Sequence, residues 1–193
     1  MLNFKKKGYF IEFGVGDGMK DSNTFSLEKN FNWNGIVAEP IIHKYKTILK
    51  HRRCHIEMKA VYKESNLRLK FSYNTNSSNF SSITKYIAND FDKKSYSTER
   101  MVKTISLMDL IKKYNAPKII DYLSIDTEGS ELSILSSFDF SKYYFKIITC
   151  EHNFTENRKK IIKLLNDNGY KRIYKNLSNF DDWFINKSFF KNV

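Results

Sequence analysis

The sequence predicts an α/β fold in which a mostly parallel sheet is flanked by helices and ends in an antiparallel hairpin. Short apolar segments alternate with segments of helical periodicity, which is typical of parallel strands joined by right-handed crossovers. The connection from Lys175 to Asp182 is too short for such a crossover, so the strands at 170–174 and 183–185 should pair antiparallel. With 193 residues and a hydrophobic share of 41%, we expect one domain spanning 1–193.

The individual elements follow from apolar runs, capping residues and glycines. The first helix is expected to begin with Asp21 or Ser22 as its N-cap, and Gly169 suits the left-handed position after the last helix. In chain order we expect strands at 8–13, 35–38, 54–58, 119–125, 146–150, 170–174 and 183–185, and helices at 22–31, 41–49, 104–114, 130–137 and 156–168.

The segment after the third strand is harder to assign. Residues 59–73 alternate in the manner of strands, residues 74–82 are polar, and residues 82–100 carry weak helical signals. We therefore expect 74–100 to be an insertion that supplies a substrate loop, with Asn79–Thr84 as the candidate.

Charge and cysteine content limit the class of protein. The net charge of +12 suits an anionic partner such as nucleic acid, but the lysines are spread along the chain, and a Lys-rich composition without such a partner is the alternative. Cys54 and Cys150 lie beside apolar segments and form neither a disulfide framework nor a zinc site. No apolar run reaches the ~18 residues of a membrane helix, and no signal peptide is evident. We expect a cytoplasmic protein.

A glycine-rich turn follows the first predicted strand, with the sequence Glu12-Phe-Gly14-Val-Gly16-Asp17-Gly18. Glycines at the carboxyl end of a strand allow a ligand to approach the backbone closely, although they could also serve only the chain reversal. A dinucleotide-binding turn has the spacing G-x-G-x-x-G, which this turn lacks. Its two acids disfavour a pyrophosphate and suit a cationic ligand. The turn therefore predicts S-adenosylmethionine, which carries a sulfonium and an ammonium group.

Glu39 ends the second predicted strand, 21 positions after Gly18. An acid about 20 residues beyond a glycine turn is placed to accept hydrogen bonds from ribose hydroxyls. A solvated glutamate at a strand end is the alternative. Together with the glycine turn, this position favours a nucleoside ligand.

Several longer motifs make the sequence resemble the FkbM family of methyltransferases. The two principal ones are the region 12–40, which ends in Trp33-Asn-Gly-Ile-Val-Ala-Glu-Pro40, and the stretch Asp121-Tyr-Leu-Ser-Ile-Asp-Thr-Glu-Gly-Ser-Glu131. The segments at 104–110, 150–153 and 183–186 fit as well, so the resemblance covers nearly the whole chain.

The resemblance implies a class I methyltransferase fold, a Rossmann-like three-layer sandwich with a seven-stranded sheet. S-adenosylmethionine would lie over the carboxyl ends of the strands, and the acceptor would be a hydroxyl of a sugar, a glycan intermediate or another small metabolite. The residues implied in cofactor binding are Glu12, Gly14, Gly16, Asp17 and Gly18 in the turn, Ser22, Asn23 and Thr24 at the following helix, Glu39 at the ribose and Ala60 near the adenine.

The same resemblance places four candidate catalytic residues after the fourth and fifth strands: Asp126, Glu128, Glu151 and His152. Methyl transfer to a hydroxyl needs the oxygen in line with the sulfonium and its proton removed. A carboxylate or His152 could act as the base, or Asp126, Glu151 and His152 could hold a divalent metal such as Mg²⁺. Glu128 could instead only face a helix dipole, and His152 could be a capping or core residue.

Two other functions remain open at this point. The charge is compatible with methylation of an RNA ribose 2′-hydroxyl, and the fold could also bind S-adenosylmethionine without catalysis. Only seven residues precede Gly8, so we expect the cover over the cofactor to come from 74–100 or from a second subunit in a homo-oligomer. The expected partner is a small-molecule or glycan substrate.

Overall fold

In the computed structural model, which describes residues 2–20, 22–74, 81–89, 98–177 and 179–190, the chain folds around a mixed sheet of seven strands. The strands are β1 (Tyr9–Phe13), β2 (Asn34–Ala38), β3 (His55–Glu57), β4 (Ala60–Tyr62), β5 (Arg68–Tyr73), β6 (Ser81–Ile83), β7 (Thr98–Ser106), β8 (Ile119–Ile125), β9 (Tyr144–Glu151), β10 (Tyr170–Ile173) and β11 (Asp181–Asn186). The α-helices are α1 (Phe25–Phe31), α2 (Tyr45–His51), α3 (Leu107–Lys113), α4 (Glu131–Ser136) and α5 (Asn157–Asp167), and 3₁₀ helices lie at Ile42–Lys44 and Thr84–Asn89.

The large sheet has the strand order β10-β11-β9-β8-β1-β2-β3. The pairs from β9 to β3 are parallel, and β11 runs antiparallel to both β9 and β10. The predicted α/β class and the antiparallel pairing of the last two strands are therefore confirmed. Because the chain order reverses between β1 and β8, the carboxyl ends of these neighbours border a crevice of the kind in which α/β sheets bind ligands.

The sheet is covered on both faces because its strands alternate in the direction of their side chains. On one face, Ile11 of β1 packs in a cluster with Ile134 of α4 and Leu165 of α5. On the other face, Phe10 packs with Ile48 of α2 and with partly buried residues of α1. Fully burying such a side chain contributes about 1.5–3 kcal/mol, so the two apolar faces hold the helices against the sheet.

A second sheet of four strands, in the order β4-β7-β5-β6, differs from the sequence prediction. The predicted helix at 104–114 is wrong at its start, because 104–106 belong to β7 and α3 begins at Leu107. Ser106 caps that helix by accepting a hydrogen bond from the Asp109 N–H at 3.1 Å. Part of the expected insertion, 81–83, is strand β6, which pairs with β5.

The predicted helix at 22–31 also begins later, at Phe25. Thr24 occupies its N-cap, so neither Ser22 nor Asp21 does; Asp21 itself lies outside the described residues, as do Asn79 and Phe80 of the expected substrate loop. The segment predicted as one helix at 41–49 is a 3₁₀ turn followed by α2. Gly169 follows α5 with a φ of +86°, as expected for its left-handed position. In the part of the chain that the structure describes, no helix has the length and apolar character needed to cross a bilayer.

Candidate functional site

The glycine turn lies between β1 and α1, directly beside the end of β8. Gly14 has a φ of +76°, and a Cβ atom built on it would lie 2.1 Å from the carbonyl oxygen of Asp126. Gly16 has a φ of +56°, and its Cβ would meet nothing closer than the Lys20 carbonyl oxygen at 3.9 Å. Both conformations disfavour other residues. Gly14 therefore allows the two strand ends to touch, while Gly16 leaves the backbone open to a ligand.

The buried carboxylate of Glu12 fixes the end of this turn. It accepts hydrogen bonds from the Asn23 N–H at 2.6 Å and the Ser22 hydroxyl at 2.8 Å, and also one from the Thr24 hydroxyl. The sequence predicts that Ser22, Asn23 and Thr24 open the first helix, but these bonds to Glu12 occupy their N–H and hydroxyl groups. For this reason α1 begins only at Phe25. Because its oxygens are hydrogen-bonded to other protein groups, Glu12 contributes to the candidate cofactor site by fixing the shape of the turn.

A buried arginine, Arg52, balances the charge of this region. Its Nε lies 2.7 Å from Glu28 Oε2, its Nη2 donates to the Thr24 hydroxyl at 2.7 Å, and its Nη1 lies 3.6 Å from Glu12 Oε2. The buried carboxylates of Glu12 and Glu28 thus share one buried guanidinium. Removing one partner of such a group lowers the free energy of unfolding by several kcal/mol. The sequence analysis missed this role, because Arg52 stood only in a short basic run after a predicted helix.

The other turn residues have more local roles. Asp17 accepts hydrogen bonds from the N–H groups of Met19 and Lys20 at 2.9 and 2.8 Å, so it caps the exposed part of the turn. Asn23 is exposed, and its side-chain amide donates to the Ser124 hydroxyl on β8 at 3.0 Å. Asn23 therefore bridges the turn to the strand that leads to the candidate catalytic acids.

Glu39 lies immediately after β2 and is only 1% exposed. Its Oε1 accepts from the Ile41 N–H at 3.0 Å, and its Oε2 lies 3.6 Å from Lys44 Nζ. Burial raises the pKa of this carboxyl, while Lys44 and the N–H groups of Ile41 and Gly16 oppose that rise. Glu39 thus faces the glycine turn, as the sequence analysis expects for a residue that binds a ribose.

A narrow cavity joins Glu39 to the acids after β8. Its lining includes Ala60, which brings the expected adenine position to the same cavity as the expected ribose position, and Ser81 and Ile83 from β6. The cavity has a volume of about 30 Å³, enough for about two water molecules. A nucleoside needs more room, so these walls must separate when one binds.

Three carboxylates meet at the carboxyl ends of β8 and β9. One oxygen each of Asp126, Glu128 and Glu151 lies within 4.8 Å of the other two. Burial raises the pKa of Asp126 to about 7, although a hydrogen bond from Glu151 opposes the rise. Burial and the nearby charges of Asp126 and Glu128 raise the pKa of Glu151 still further. At neutral pH, Asp126 and Glu151 therefore share at least one proton.

The turn that carries these acids is held by Glu131, a residue to which the sequence analysis gave no role. Glu131 Oε1 accepts from the N–H groups of Thr127 and Gly129, both at 3.0 Å, and from the Thr127 hydroxyl at 2.7 Å. Within the turn, Glu128 adopts a φ of +54°, and its Oε2 accepts from the Asn153 amide at 2.9 Å. The one feature of the sequence that could have indicated this role is the position of Glu131 in the first turn of a predicted helix.

His152 is not part of the group of three carboxylates, although it lines a small cavity together with Glu128 and Glu151. Its Nε2 lies 3.9 Å from Asp182 Oδ1 and has no hydrogen-bond partner among the described residues, while its Nδ1 accepts from the Phe154 N–H at 3.0 Å. Burial lowers the pKa of His152, and the nearby Asp182 only partly offsets that effect. The structure brings Asp126 and Glu151 together as expected and adds Glu128, but it does not bring His152 into that group.

The described part of the expected substrate loop contacts the same turn. The Ser82 hydroxyl donates to the Glu128 carbonyl oxygen at 2.8 Å. The Cβ of Tyr86 lies 3.0 Å from the position that a Cβ on Gly129 would occupy. Strand β6 and the 3₁₀ helix after it therefore pack against the turn that carries the acids.

Comparisons with known proteins identify the family of the chain. The family model of the methyltransferase FkbM domain matches residues 12–172. No curated protein matches the sequence. The chain is similar to the FkbM methyltransferase from Methylobacillus flagellatus KT, with 13% identity and a TM-score of 0.53 over 94% of this chain and 44% of that one. It is also similar to a precorrin-6y C5,15-methyltransferase from Geobacter metallireducens GS-15, with 12% identity and a TM-score of 0.46 over 94% of this chain and 78% of that one. The chain thus spans less than half the length of the first structure, and that similarity is one of fold.

Proposed function

Because the chain belongs to the FkbM methyltransferase family, we propose that it transfers a methyl group from S-adenosylmethionine to a hydroxyl of a sugar, a glycan intermediate or another small metabolite. The contact between the glycine turn and the end of β8 carries this proposal. Gly14 approaches Asp126 so closely that a side chain there would overlap the Asp126 carbonyl oxygen. A cofactor on the turn would therefore present its reacting end to the three carboxylates.

The cofactor would lie along the crevice from β2 to β8. Glu39 would accept hydrogen bonds from the ribose hydroxyls, with Ala60 beside the adenine and the open backbone at Gly16 beneath the nucleoside. The methionine end would then lie toward Asn23, which is exposed at the exit of the turn. This direction brings the sulfonium toward Asp126.

Asp126 is the proposed general base. Its raised pKa of about 7 lets it be ionised near neutral pH and still accept a proton from a hydroxyl, which is the range in which a base is most effective. The hydroxyl oxygen forms a bond to the methyl carbon as the bond from carbon to sulfur breaks, and the hydroxyl proton passes to Asp126. The products are the methyl ether and S-adenosylhomocysteine.

A divalent metal on the three carboxylates is the alternative way to activate the hydroxyl. Ligand oxygens on opposite sides of Mg²⁺ lie about 4.2 Å apart and those of Ca²⁺ up to about 5.2 Å apart, so a spacing of up to 4.8 Å fits a hard divalent cation. Such an ion would lower the pKa of a bound hydroxyl. The ligands would then be Asp126, Glu128 and Glu151, without His152.

An assay for S-adenosylhomocysteine tests the proposal. Purified protein is mixed with S-adenosylmethionine and fractions of small metabolites and oligosaccharides, and product formation is compared with the Asp126→Asn variant. We expect product with the unaltered protein, and we expect EDTA to change its rate by less than about threefold. A rate abolished by EDTA and restored by Mg²⁺ would assign the acids to a metal, and methylation of a nitrogen instead of an oxygen would overturn the proposed acceptor chemistry.

A further inference from the structure

A second, larger cavity lies on the face of the large sheet that α1 and α2 cover only in part, and Asn23 at one end is its only residue that the proposed mechanism uses. It has a volume of about 350 Å³, within the range of small-molecule sites. We call it the aromatic groove, after the rings of Phe4, Phe31, Trp33, Tyr122 and Trp183 in its walls. Its size and its walls are those of a ligand site.

The groove exists because helices cover this face unevenly. Residues of α1 and α2 pack over β1 and β2. Over β9 and β11, the apolar cluster around Ile147 and Ile185 is packed by Leu2 and Phe190, and it contains no helix residue within the described part of the chain. Trp33 stabilises the edge of the groove, since its indole N–H donates to the Lys5 carbonyl oxygen at 2.7 Å.

The polar groups of the groove are unevenly placed. Asn23, Thr149 and Asp181 lie at the end nearest the candidate catalytic acids: Asn23 donates to Ser124 on β8, and Asp181 lies opposite Glu151 in the pairing of β11 with β9. At the other end, Lys5 is bound by both oxygens of Asp121 at 2.7 Å. The groove is thus apolar between its two ends, and the charge at its Lys5 end is balanced by Asp121.

We propose that the aromatic groove binds the methyl acceptor and that this acceptor is an apolar, ring-containing compound with its hydroxyl at one end. This inference rests on the proposed function and narrows it to the metabolite class. A flat ring packed against the aromatic walls gains ring–ring interaction energy in addition to the apolar area that it buries. Its hydroxyl would project past Asn23 and Asp181 toward Asp126.

A sugar fits this groove poorly. A sugar ring carries hydroxyls around its whole edge, and the aromatic walls offer no partners for those that face them. Each hydroxyl that is buried without a hydrogen-bond partner weakens binding, because it loses its bonds to water. The distribution of polar groups therefore favours a ring compound with one or two hydroxyls over a monosaccharide.

Both tryptophans of the chain line the groove, so their indole N–H signals report on it. We would titrate the ¹⁵N-labelled protein with 2-naphthol and, separately, with methyl α-glucoside, and follow both indole signals by NMR. We expect saturable shifts with 2-naphthol and none with the glucoside at equal concentration. Stronger binding of the glucoside, or no binding of 2-naphthol, would overturn the inference.

Matched variants locate the binding. The variants Trp183→Ala and Phe4→Ala should each weaken 2-naphthol binding at least about tenfold. The Phe4 side chain is 86% exposed and is therefore dispensable for folding. Phe180→Ala, at an exposed ring outside the groove, should leave the binding unchanged. Equal weakening in all three variants would contradict the proposal. So would a dimer in sedimentation that Trp183→Ala dissociates, because a second copy would then occupy the groove.

Titration with S-adenosylmethionine on the same samples separates the two proposals. Cofactor binding without 2-naphthol binding would reject the groove and leave the proposed function standing. Binding of 2-naphthol without cofactor binding would reject the proposed function, and the groove would then remain a site for ring compounds without a role in methyl transfer.

Discussion

The turns that follow β1 and β8 are each held by a buried glutamate, but they differ in whether a buried cation lies beside that glutamate. Glu12 accepts hydrogen bonds from the start of α1, and Glu131 accepts them from the turn before α4. Around the first turn, Arg52 lies within 3.6 Å of Glu12 and 2.7 Å of Glu28. Around the second, no Lys or Arg among the described residues forms an ion pair with Glu131 or Asp126.

The difference indicates what each turn can do. Balanced charges stabilise the first turn, which suits a cofactor site. In the second turn, burial raises the pKa values of Asp126, Glu131 and Glu151. Neighbouring carboxylates add to the rise at Asp126 and Glu151, so protons are held on this pair near neutral pH. A site that holds protons near neutral pH suits acid–base chemistry, as the proposed transfer to a hydroxyl requires.

The largest expected effect is on catalysis at the second turn. Asp126→Asn removes the proposed base but keeps the shape of the side chain, so turnover should fall by about 10²–10⁴-fold, the usual contribution of general-base catalysis. Affinity for S-adenosylmethionine should stay within about threefold, because the cofactor is held by the first turn. His152→Gln is the matched control and should retain activity. Equal losses in the two variants would contradict the assignment of the base.

The next largest effect is on the stability of the first turn. Arg52→Met leaves Glu12 and Glu28 buried without their shared cation, so the free energy of unfolding should fall by about 3–5 kcal/mol in urea denaturation. Arg53→Ala is the control, since its side chain is 75% exposed, and it should change stability by less than about 0.5 kcal/mol. Similar values for both variants would mean that the charges of the first turn are not coupled through Arg52.

The sequence predicted the elements whose signal is local and missed those that depend on distant contacts. The apolar runs of β1 and β8 and the spacing of Gly14 and Gly16 stand out within a few residues of chain. Arg52 acts across 24 residues on Glu28, and nothing in the adjacent sequence marks it for that contact. The second sheet was predicted only in part. Residues 59–73, which alternate in the manner of strands, contain β4 and β5. Strand β7 was missed because it mixes exposed charges such as Lys103 with buried residues, so its apolar alternation is weak.

The smallest expected effect is a pH dependence of stability that comes from the second turn. The folded pKa of Asp126 is raised to about 7, so its contribution is complete below the ordinary carboxyl pKa and is lost as pH rises through about 7. Between about pH 5 and pH 8, the unaltered protein should therefore lose more stability than Asp126→Asn, as measured by urea midpoints. If the variant lost more stability than the unaltered protein over this range, the folded state would stabilise the ionised form of Asp126 and not the protonated form.

The central claim is that the first turn and Glu39 bind S-adenosylmethionine, and isothermal titration calorimetry tests it most directly. The unaltered protein should bind the cofactor in the micromolar range, and Glu39→Ala should weaken that binding by roughly 1.5–3 kcal/mol, the value of a hydrogen bond to a charged group. A cofactor that fails to bind at high micromolar concentration would contradict the claim, and an unchanged affinity in Glu39→Ala would show that the ribose lies elsewhere.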